Sequence, residues 1–188
     1  MSNSRVLLLG DANVGKTSLI GRISSGEFNP IVTPTTAAGF ITLQPDPKDP
    51  SFEFQLWDTA GMERYRSVNK IYFRDAVGAI LVFDYTAKQS FEDIEMWKSD
   101  FISGDALPSA VMILVGNKYD KKDDFEVNEG EVRSWAEENG ILYFPVSALT
   151  GDGIEDLLDA LTKSIPRKTV KADTALSIVE TEKNKKCC

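Results

Sequence analysis

Residues Gly10–Thr17 read Gly-Asp-Ala-Asn-Val-Gly-Lys-Thr and match the pattern G-x-x-x-x-G-K-[ST]. The apolar run Val6–Leu9 precedes the match and predicts a buried strand, and the apolar positions after it predict a helix from about Lys16. Strand, glycine loop and helix are the context that a phosphate-binding loop requires. The alternative is a glycine turn with a chance lysine, which the flanking strand and helix disfavour.

The residue types in this loop suit a phosphate group. Gly10 and Gly15 allow a tight turn in which successive backbone N–H groups point into one concavity. The N-terminus of the following helix favours an anion at the same place. Lys16 adds a full positive charge for terminal phosphates, and the Thr17 hydroxyl is a ligand for Mg²⁺.

Composition narrows the classes of function. The chain has 188 residues, of which 42% are hydrophobic and 27% are charged, so we expect one soluble globular domain. The formal net charge of -8 argues against a general nucleic-acid binder, and the lack of histidine excludes a histidine base or ligand. No apolar run is long enough to span a bilayer, and no signal-peptide pattern is present. The only cysteines, Cys187 and Cys188, indicate a domain without a disulfide framework and fit a reducing, cytosolic location.

Strand patterns alternate with helix patterns, which predicts an α/β fold with a mostly parallel sheet and helices on both faces. The six predicted strands are Val6–Leu9, Phe40–Leu43, Phe52–Trp57, Gly78–Phe83, Val111–Val115 and Leu142–Val146. The proline-rich segment 45–50 predicts a hairpin turn and therefore one antiparallel edge strand. Apolar faces predict helices around residues 91–97, 132–136 and 154–165. We expect residues 1–166 to form the domain and residues 167–188, which are polar and rich in lysine, to form a flexible tail.

Residues with distinct chemistry follow four of the predicted strands. Gly10–Thr17, Asp58, Asn117–Asp120 and the pair Ser147-Ala148 each come directly after a strand. Ligands in such sheets bind beyond the C-terminal ends of the strands, so these segments are predicted to meet at one edge. Asp58 alone could be a cap or turn residue, but opposite a phosphate loop it is placed to support Mg²⁺.

The run Asn117-Lys118-Tyr119-Asp120 predicts the identity of the base. A carboxylate at Asp120 can accept two hydrogen bonds from N1–H and the exocyclic amine of guanine, a donor pair that adenine lacks. Asn117 would brace the loop and the base edge, while the stem of Lys118 and the ring of Phe28 would cover the two faces of the base. The Ala148 N–H would meet the base oxygen.

Over residues 5–165 the chain resembles a Ras-superfamily small GTPase, a P-loop NTPase, and most closely its Rab branch. The matching segments are Gly10–Thr17, Thr35, Trp57–Gly61, Asn117–Asp120 and Ser147-Ala148. The run Glu63–Arg66 and the terminal cysteine pair favour Rab over Ras, Rho or Arf. The resemblance implies a monomeric GTP/GDP switch in vesicular traffic, with an exchange factor, a GTPase-activating protein, effectors, an escort protein and a GDP-dissociation inhibitor as partners. It also implies Mg²⁺ as cofactor.

The resemblance assigns roles to individual residues. Lys16, Thr35, Gly61 and the residue at position 62 would serve hydrolysis, and Thr17, Thr35 and Asp58 would hold Mg²⁺. The implied nucleotide contacts are Asp11, Ala12, Asn13, Val14, Gly15, Lys16, Thr17, Ser18, Phe28, Pro34, Thr35, Gly61, Asn117, Lys118, Asp120, Ser147, Ala148 and Leu149. Phe40, Trp57 and Tyr72 resemble the aromatic triad that binds Rab effectors, although packing in the core or hairpin explains such rings as well. Cys187 and Cys188 resemble a double geranylgeranylation site that anchors the protein to the cytoplasmic face of endomembranes; two unmodified thiols are the alternative.

Met62 departs from the family, which usually has glutamine there to orient the attacking water. A thioether cannot hydrogen-bond a water with that geometry, so we expect slow intrinsic hydrolysis. Met62 is either natural, in a switch that depends on its activator, or an engineered change that traps the GTP form. Leu149 also replaces a lysine that is common after Ser-Ala.

Three functions compete at this point. The first is a regulated GTPase switch, and the second is a GTP-bound interaction protein with negligible hydrolysis. The third is a P-loop kinase for a small substrate, which the run Asn117–Asp120 disfavours because it has no role there.

Overall fold

The structure is a computed structural model that describes residues 4–30, 35, 38–59 and 71–167. Its strands form one six-stranded sheet in the order β2-β3-β1-β4-β5-β6. The strands are β1 (Arg5–Leu9), β2 (Gly39–Leu43), β3 (Phe54–Asp58), β4 (Gly78–Asp84), β5 (Val111–Asn117) and β6 (Leu142–Pro145). Only β2, at one edge, pairs antiparallel, and the predicted hairpin connects it to β3. The predicted sheet is therefore confirmed.

Helices cover both faces of the sheet. They are α1 (Lys16–Ser25), α2 (Lys88–Glu92), α3 (Ile94–Ser103), α4 (Glu129–Glu138) and α5 (Ile154–Ser164), with a 3-10 turn at Lys122–Asp124. The single helix predicted from Phe91, Ile94 and Trp97 is wrong in one respect, because the chain breaks at Asp93 into α2 and α3. The other predicted helix positions are confirmed.

Alternation along the central strands divides the core into two layers. Val6 and Leu8 of β1 pack on the side of α1 and α5, where they meet Leu19. Leu7 and Leu9 point to the opposite face, toward α3 and α4, and meet Trp97. Because all four residues of this run are buried, β1 is covered on both faces and lies at the centre of the sheet.

Several predicted features lie outside the described residues. They are Pro34, Gly61, Met62, the run Glu63–Arg66, the tail beyond Arg167 and the two cysteines. Within the part of the chain that the structure describes, no helix is both long enough and apolar enough to cross a bilayer. The other predicted site residues can be placed.

Candidate functional site: a cavity at the C-terminal edge of the sheet

A cavity of about 370 Å³ opens where the parallel strands end. Thirteen of the predicted contact residues line it: Ala12, Asn13, Gly15, Lys16, Thr17, Ser18, Phe28, Thr35, Asn117, Lys118, Asp120, Ala148 and Leu149. They come from the loops after β1, β5 and β6 and from the segment that follows α1. The structure thus brings together segments that are far apart in sequence, as the strand-end rule predicted.

The glycine loop has no room for side chains at two positions. Gly10 has a φ of +144°, and a Cβ there would lie 2.1 Å from the carbonyl oxygen of Val82. Gly15 has a φ of +97°, and its Cβ would lie 2.2 Å from Nδ2 of Asn117. Glycine is therefore required at both positions, for conformation and for space. The result is a loop that turns tightly against β4 and β5 before α1 begins.

Lys16 lies inside this loop and makes no direct ion pair with any of the residues that the structure describes. Its Nζ donates to the carbonyl oxygens of Gly10 and Asp11, at 2.7 Å each, and the residue is only 6% exposed. Burial lowers the pKa of the Lys16 ammonium to about 8, although the negative charges of Asp58 and Asp11 oppose the shift. An anionic group in the cavity would relieve this penalty, so the site favours a phosphate.

Thr17, Thr35 and Asp58 meet at the floor of the cavity. Thr17 Oγ1 donates to Asp58 Oδ2 at 2.7 Å, and Thr35 Oγ1 donates to the same oxygen at 3.1 Å. The two hydroxyl oxygens are 2.8 Å apart. Asp58 Oδ1 is buried and has no hydrogen-bond partner among the described residues. Two hydroxyls beside an unsatisfied buried carboxylate oxygen form an all-oxygen donor set that suits Mg²⁺.

Asn117, at the end of β5, joins two loops. Its Nδ2 donates to the carbonyl oxygen of Val14 at 2.8 Å, and its Oδ1 accepts from the N–H of Ala148 at 3.1 Å. These two bonds hold the phosphate loop and the loop after β6 together, while the predicted contact of Asn117 with the base edge stays a prediction. In the structure the Ala148 N–H donates to Asn117. The contact of this N–H with a base oxygen stays a prediction.

Asp120 is held by a neighbour within the predicted site, and Lys118 by one outside it. Asp120 is exposed to the cavity, and its Oδ1 accepts a hydrogen bond of 2.5 Å from Ser147 Oγ. Lys118 has a φ of +61°, and its ammonium pairs with Asp84 at the end of β4. The ion pair anchors the end of the Lys118 side chain, and the residue lines the cavity.

Some predicted contacts lie beside the cavity rather than on its lining. The Asp11 carboxylate accepts from Trp97 Nε1 at 2.7 Å, and burial raises the pKa of this carboxyl. Val14 is buried and contributes its carbonyl to Asn117. Ser147 acts through Asp120. These residues therefore support the walls of the cavity with their described contacts.

Four further residues line the cavity although sequence reasoning did not select them: Asn29, Pro30, Thr59 and Lys121. Asn29 and Pro30 follow Phe28, Thr59 follows Asp58, and Lys121 follows Asp120. Adjacency to a predicted residue is thus the signal that could have found them. Asp84 had a different signal, since it ends a strand of the same parallel sheet.

Phe40, Trp57 and Tyr72 form a connected aromatic surface. Phe40 and Trp57 stack with ring centroids 4.9 Å apart, and Trp57 and Tyr72 follow at 5.4 Å. Phe40 is 52% exposed, so core packing does not account for its position. The three rings lie together as the resemblance implied, although their contact with a partner stays a prediction.

Comparison with known proteins agrees with these observations. A model of the Ras family matches residues 5–167. Ras-related protein Rab5 of Nicotiana tabacum is 34% identical over 178 residues, which cover 95% of this chain and 88% of that protein. Ras-related protein Rab-27B of Rattus norvegicus is 37% identical over 187 residues, which cover 94% of this chain and 86% of that protein. Ras-related protein Rab-25 of Bos taurus is 38% identical over 167 residues, covering 89% and 78%. The resemblance inferred from the motifs is confirmed.

Proposed function

The chain belongs to the Ras family of small GTPases, in its Rab branch, and on that premise we propose a GTP/GDP switch that acts in vesicular membrane traffic. The observation that carries the proposal is the pairing of two groups in one cavity. Lys16 provides a buried positive charge at one end, and Asp120 provides an exposed carboxylate at the other. A guanine nucleotide satisfies both, because its phosphates pair with the lysine and its base donates to the carboxylate.

Each end of the cavity has a defined task for the chain's own residues. Lys16 and the backbone N–H groups of the glycine loop hold the phosphates. Ser147 orients the Asp120 carboxylate by donating to Oδ1. With its two oxygens side by side, the carboxylate can accept the two donors of guanine. Thr17, Thr35 and Asp58 would hold Mg²⁺, which supplies positive charge against the phosphate oxygens when it is bound.

Thr35 gives the switch a physical basis. In the structure its hydroxyl contacts Thr17, in α1, and Asp58, at the end of β3. A terminal phosphate would add contacts that hold Thr35 and Gly61 in place, and hydrolysis would remove them. Effectors would then distinguish the two states through the neighbouring aromatic surface of Phe40, Trp57 and Tyr72.

Met62 makes intrinsic hydrolysis slow in this proposal. Its thioether cannot orient the attacking water as the usual glutamine does, so the GTP state is long-lived. The extreme form of the same idea is a GTP-bound interaction protein with negligible turnover. If the protein is a regulated switch and not such an interaction protein, an activator that supplies its own glutamine and an arginine would restore hydrolysis.

Nucleotide competition tests the guanine assignment. Fluorescent GDP is bound to the full chain with Mg²⁺ present and displaced by excess GDP or ADP. We expect GDP to compete at least about a thousandfold better, because adenine leaves the Asp120 carboxylate without its donors. Asp120→Asn should remove most of this preference. Equal competition by ADP would contradict the assignment.

Single-turnover hydrolysis of bound GTP tests the role of Met62. The rate of the unsubstituted chain is compared with that of Met62→Gln at saturating Mg²⁺. A roughly tenfold or greater increase is expected if the glutamine restores water positioning. Equal rates would show that hydrolysis does not depend on this side chain.

Membrane attachment completes the proposal. The cysteines Cys187 and Cys188 would carry two geranylgeranyl groups, since two chains anchor stably where one binds only marginally. Residues 1–166 would form the switch domain and residues 167–188 a flexible tail. An escort protein and a GDP-dissociation inhibitor would carry the lipidated form between the cytosol and endomembranes. Substituting both cysteines with serine should move the protein wholly to the soluble fraction of a cell lysate.

A further inference from the structure

Arg22, in the last turn of α1, does not line the cavity but contacts two of the segments that do. Its Nε donates to the carbonyl oxygen of Ala148 at 2.9 Å, and one terminal nitrogen donates to the carbonyl oxygen of Leu149. The other terminal nitrogen donates to the carbonyl oxygen of Gly26 at 2.7 Å. One half-buried guanidinium therefore joins the end of α1 to a segment that lies 126 residues beyond Arg22 in the sequence.

The contact with Gly26 fixes the segment that leads to Phe28. Gly26 ends α1 with a φ of +73°, and its N–H donates back to the carbonyl oxygen of Arg22 at 2.9 Å. Arg22 thus binds Gly26 through both its backbone and its side chain. Two residues later Phe28 lines the cavity and packs against the core. The position of this aromatic wall depends on where Gly26 directs the chain.

The contacts with Ala148 and Leu149 fix the opposite wall. Ala148 is held from the inner side by its N–H, which donates to Asn117, and from the outer side by its carbonyl, which accepts from Arg22. Leu149 lines the cavity and is 48% exposed, so packing against the core contributes little to its position. Among the described residues, the hydrogen bond from Arg22 is the polar contact that holds the carbonyl oxygen of Leu149.

We propose that Arg22 is a positioning residue for the guanine base, which holds the Phe28 wall and the Ala148–Leu149 wall at the spacing that encloses the ring. This inference rests on the proposed guanine-nucleotide function. Its consequence is kinetic: loss of the clamp lets the base end of the cavity open and shortens the time for which nucleotide stays bound.

The proposal requires arginine rather than any cation. The guanidinium is planar and offers five N–H donors in a fixed arrangement, so one group can serve three carbonyl oxygens in different directions. A lysine ammonium is a compact point charge on a flexible stem and cannot reach all three at once. Arg22→Lys therefore keeps the charge and the aliphatic stem but removes the clamp.

The experiment compares Arg22→Lys with Arg167→Lys. Arg167→Lys is the same chemical change at an exposed position, where Arg167 pairs with Asp46 and Asp49 in the β2–β3 hairpin. Two rates are measured for each protein with Mg²⁺ present: dissociation of fluorescent GDP, and single-turnover hydrolysis of GTP that is already bound. We expect Arg22→Lys to dissociate GDP roughly tenfold faster, with hydrolysis within about twofold of the rate of the unsubstituted chain. Arg167→Lys should leave both rates unchanged.

The outcomes separate this inference from the function on which it rests. Failure of the unsubstituted protein to prefer GDP over ADP overturns the proposed function. Normal GDP selectivity with an unchanged dissociation rate in Arg22→Lys overturns the inference alone. Equal changes in dissociation and hydrolysis, with a lower melting temperature, also overturn it, because they indicate general destabilisation. Arg22→Gln, which keeps an amide donor but shortens the reach, is the second variant if the lysine form does not fold.

Discussion

Replacement of Asn117 by alanine should damage the cavity more than its small change in volume suggests. Asn117 is only 1% exposed, and its amide pairs with the Val14 carbonyl and the Ala148 N–H. Alanine leaves both backbone groups buried without a partner. Each unsatisfied group costs about 1–3 kcal/mol, so we expect a total loss of about 2–6 kcal/mol. The loss should divide between the stability of the domain and its affinity for nucleotide.

Urea unfolding of nucleotide-free protein and dissociation of fluorescent GDP measure the two parts. Asn128→Ala is the matched control, because the Asn128 side chain also makes two hydrogen bonds to the backbone, in its case accepting from two N–H groups at 2.8 and 3.2 Å. Asn128 is exposed at the N-cap of α4, so its loss should cost about 1 kcal/mol and leave GDP dissociation unchanged. If Asn117→Ala costs no more than this control and releases GDP at the normal rate, the reasoning from buried unsatisfied groups is wrong.

Three further perturbations have outcomes set by the structure. Gly10→Ala would place Cβ 2.1 Å from the Val82 carbonyl oxygen at a φ of +144°, and thermal unfolding should show a loss of about 3 kcal/mol or more. Burial raises the pKa of Tyr85 to about 12 and raises that of its hydroxyl partner Tyr143, so both stay neutral in the folded state while unfolded tyrosines ionise near pH 10. The unfolded state then binds fewer protons, and urea unfolding should show that stability falls between about pH 10 and pH 12. Replacing both tyrosines by phenylalanine should flatten this slope. Arg167→Ala should change the stability little by the same method, because the Arg167 side chain is 51% exposed and its ion pairs with Asp46 and Asp49 lie at the surface.

The fold could be predicted because local patterns and sheet topology agree. The run Val6–Leu9 is apolar at every position, and in the structure both faces of that strand are covered. The proline-rich segment 45–50 predicted the antiparallel edge, since it can only turn the chain between β2 and β3. The break at Asp93 was missed because its neighbours continue the apolar spacing across it, and spacing alone does not reveal where backbone hydrogen bonding changes.

The two ends of the cavity differ in how much of them could be predicted. The phosphate end is built largely from consecutive residues, Gly10–Thr17, so its chemistry is written in one motif. The base end is assembled from side chains that meet only after folding. Asp84 and Arg22 carry no motif of their own, and their roles follow from partners at Lys118 and Ala148. The place of Asp84 at a strand end is visible in the sequence, but nothing in the sequence shows which partner Asp84 or Arg22 meets.

The way the two ends are joined determines how the site should respond to mutation. Asn117 is bonded to Val14 in the phosphate loop, 103 residues away, and to Ala148 in the base loop. Arg22 is bonded to Ala148 from the other side, through its carbonyl. Asn117 and Arg22 therefore both hold Ala148. Asn117 also reaches the phosphate loop, whereas the side chain of Arg22 bonds to the two walls at the base end. Loss of Asn117 should consequently disturb both ends, whereas loss of Arg22 should disturb the base end alone. Because the two residues share Ala148, the double variant should release GDP at a rate that departs from the product of the two separate effects.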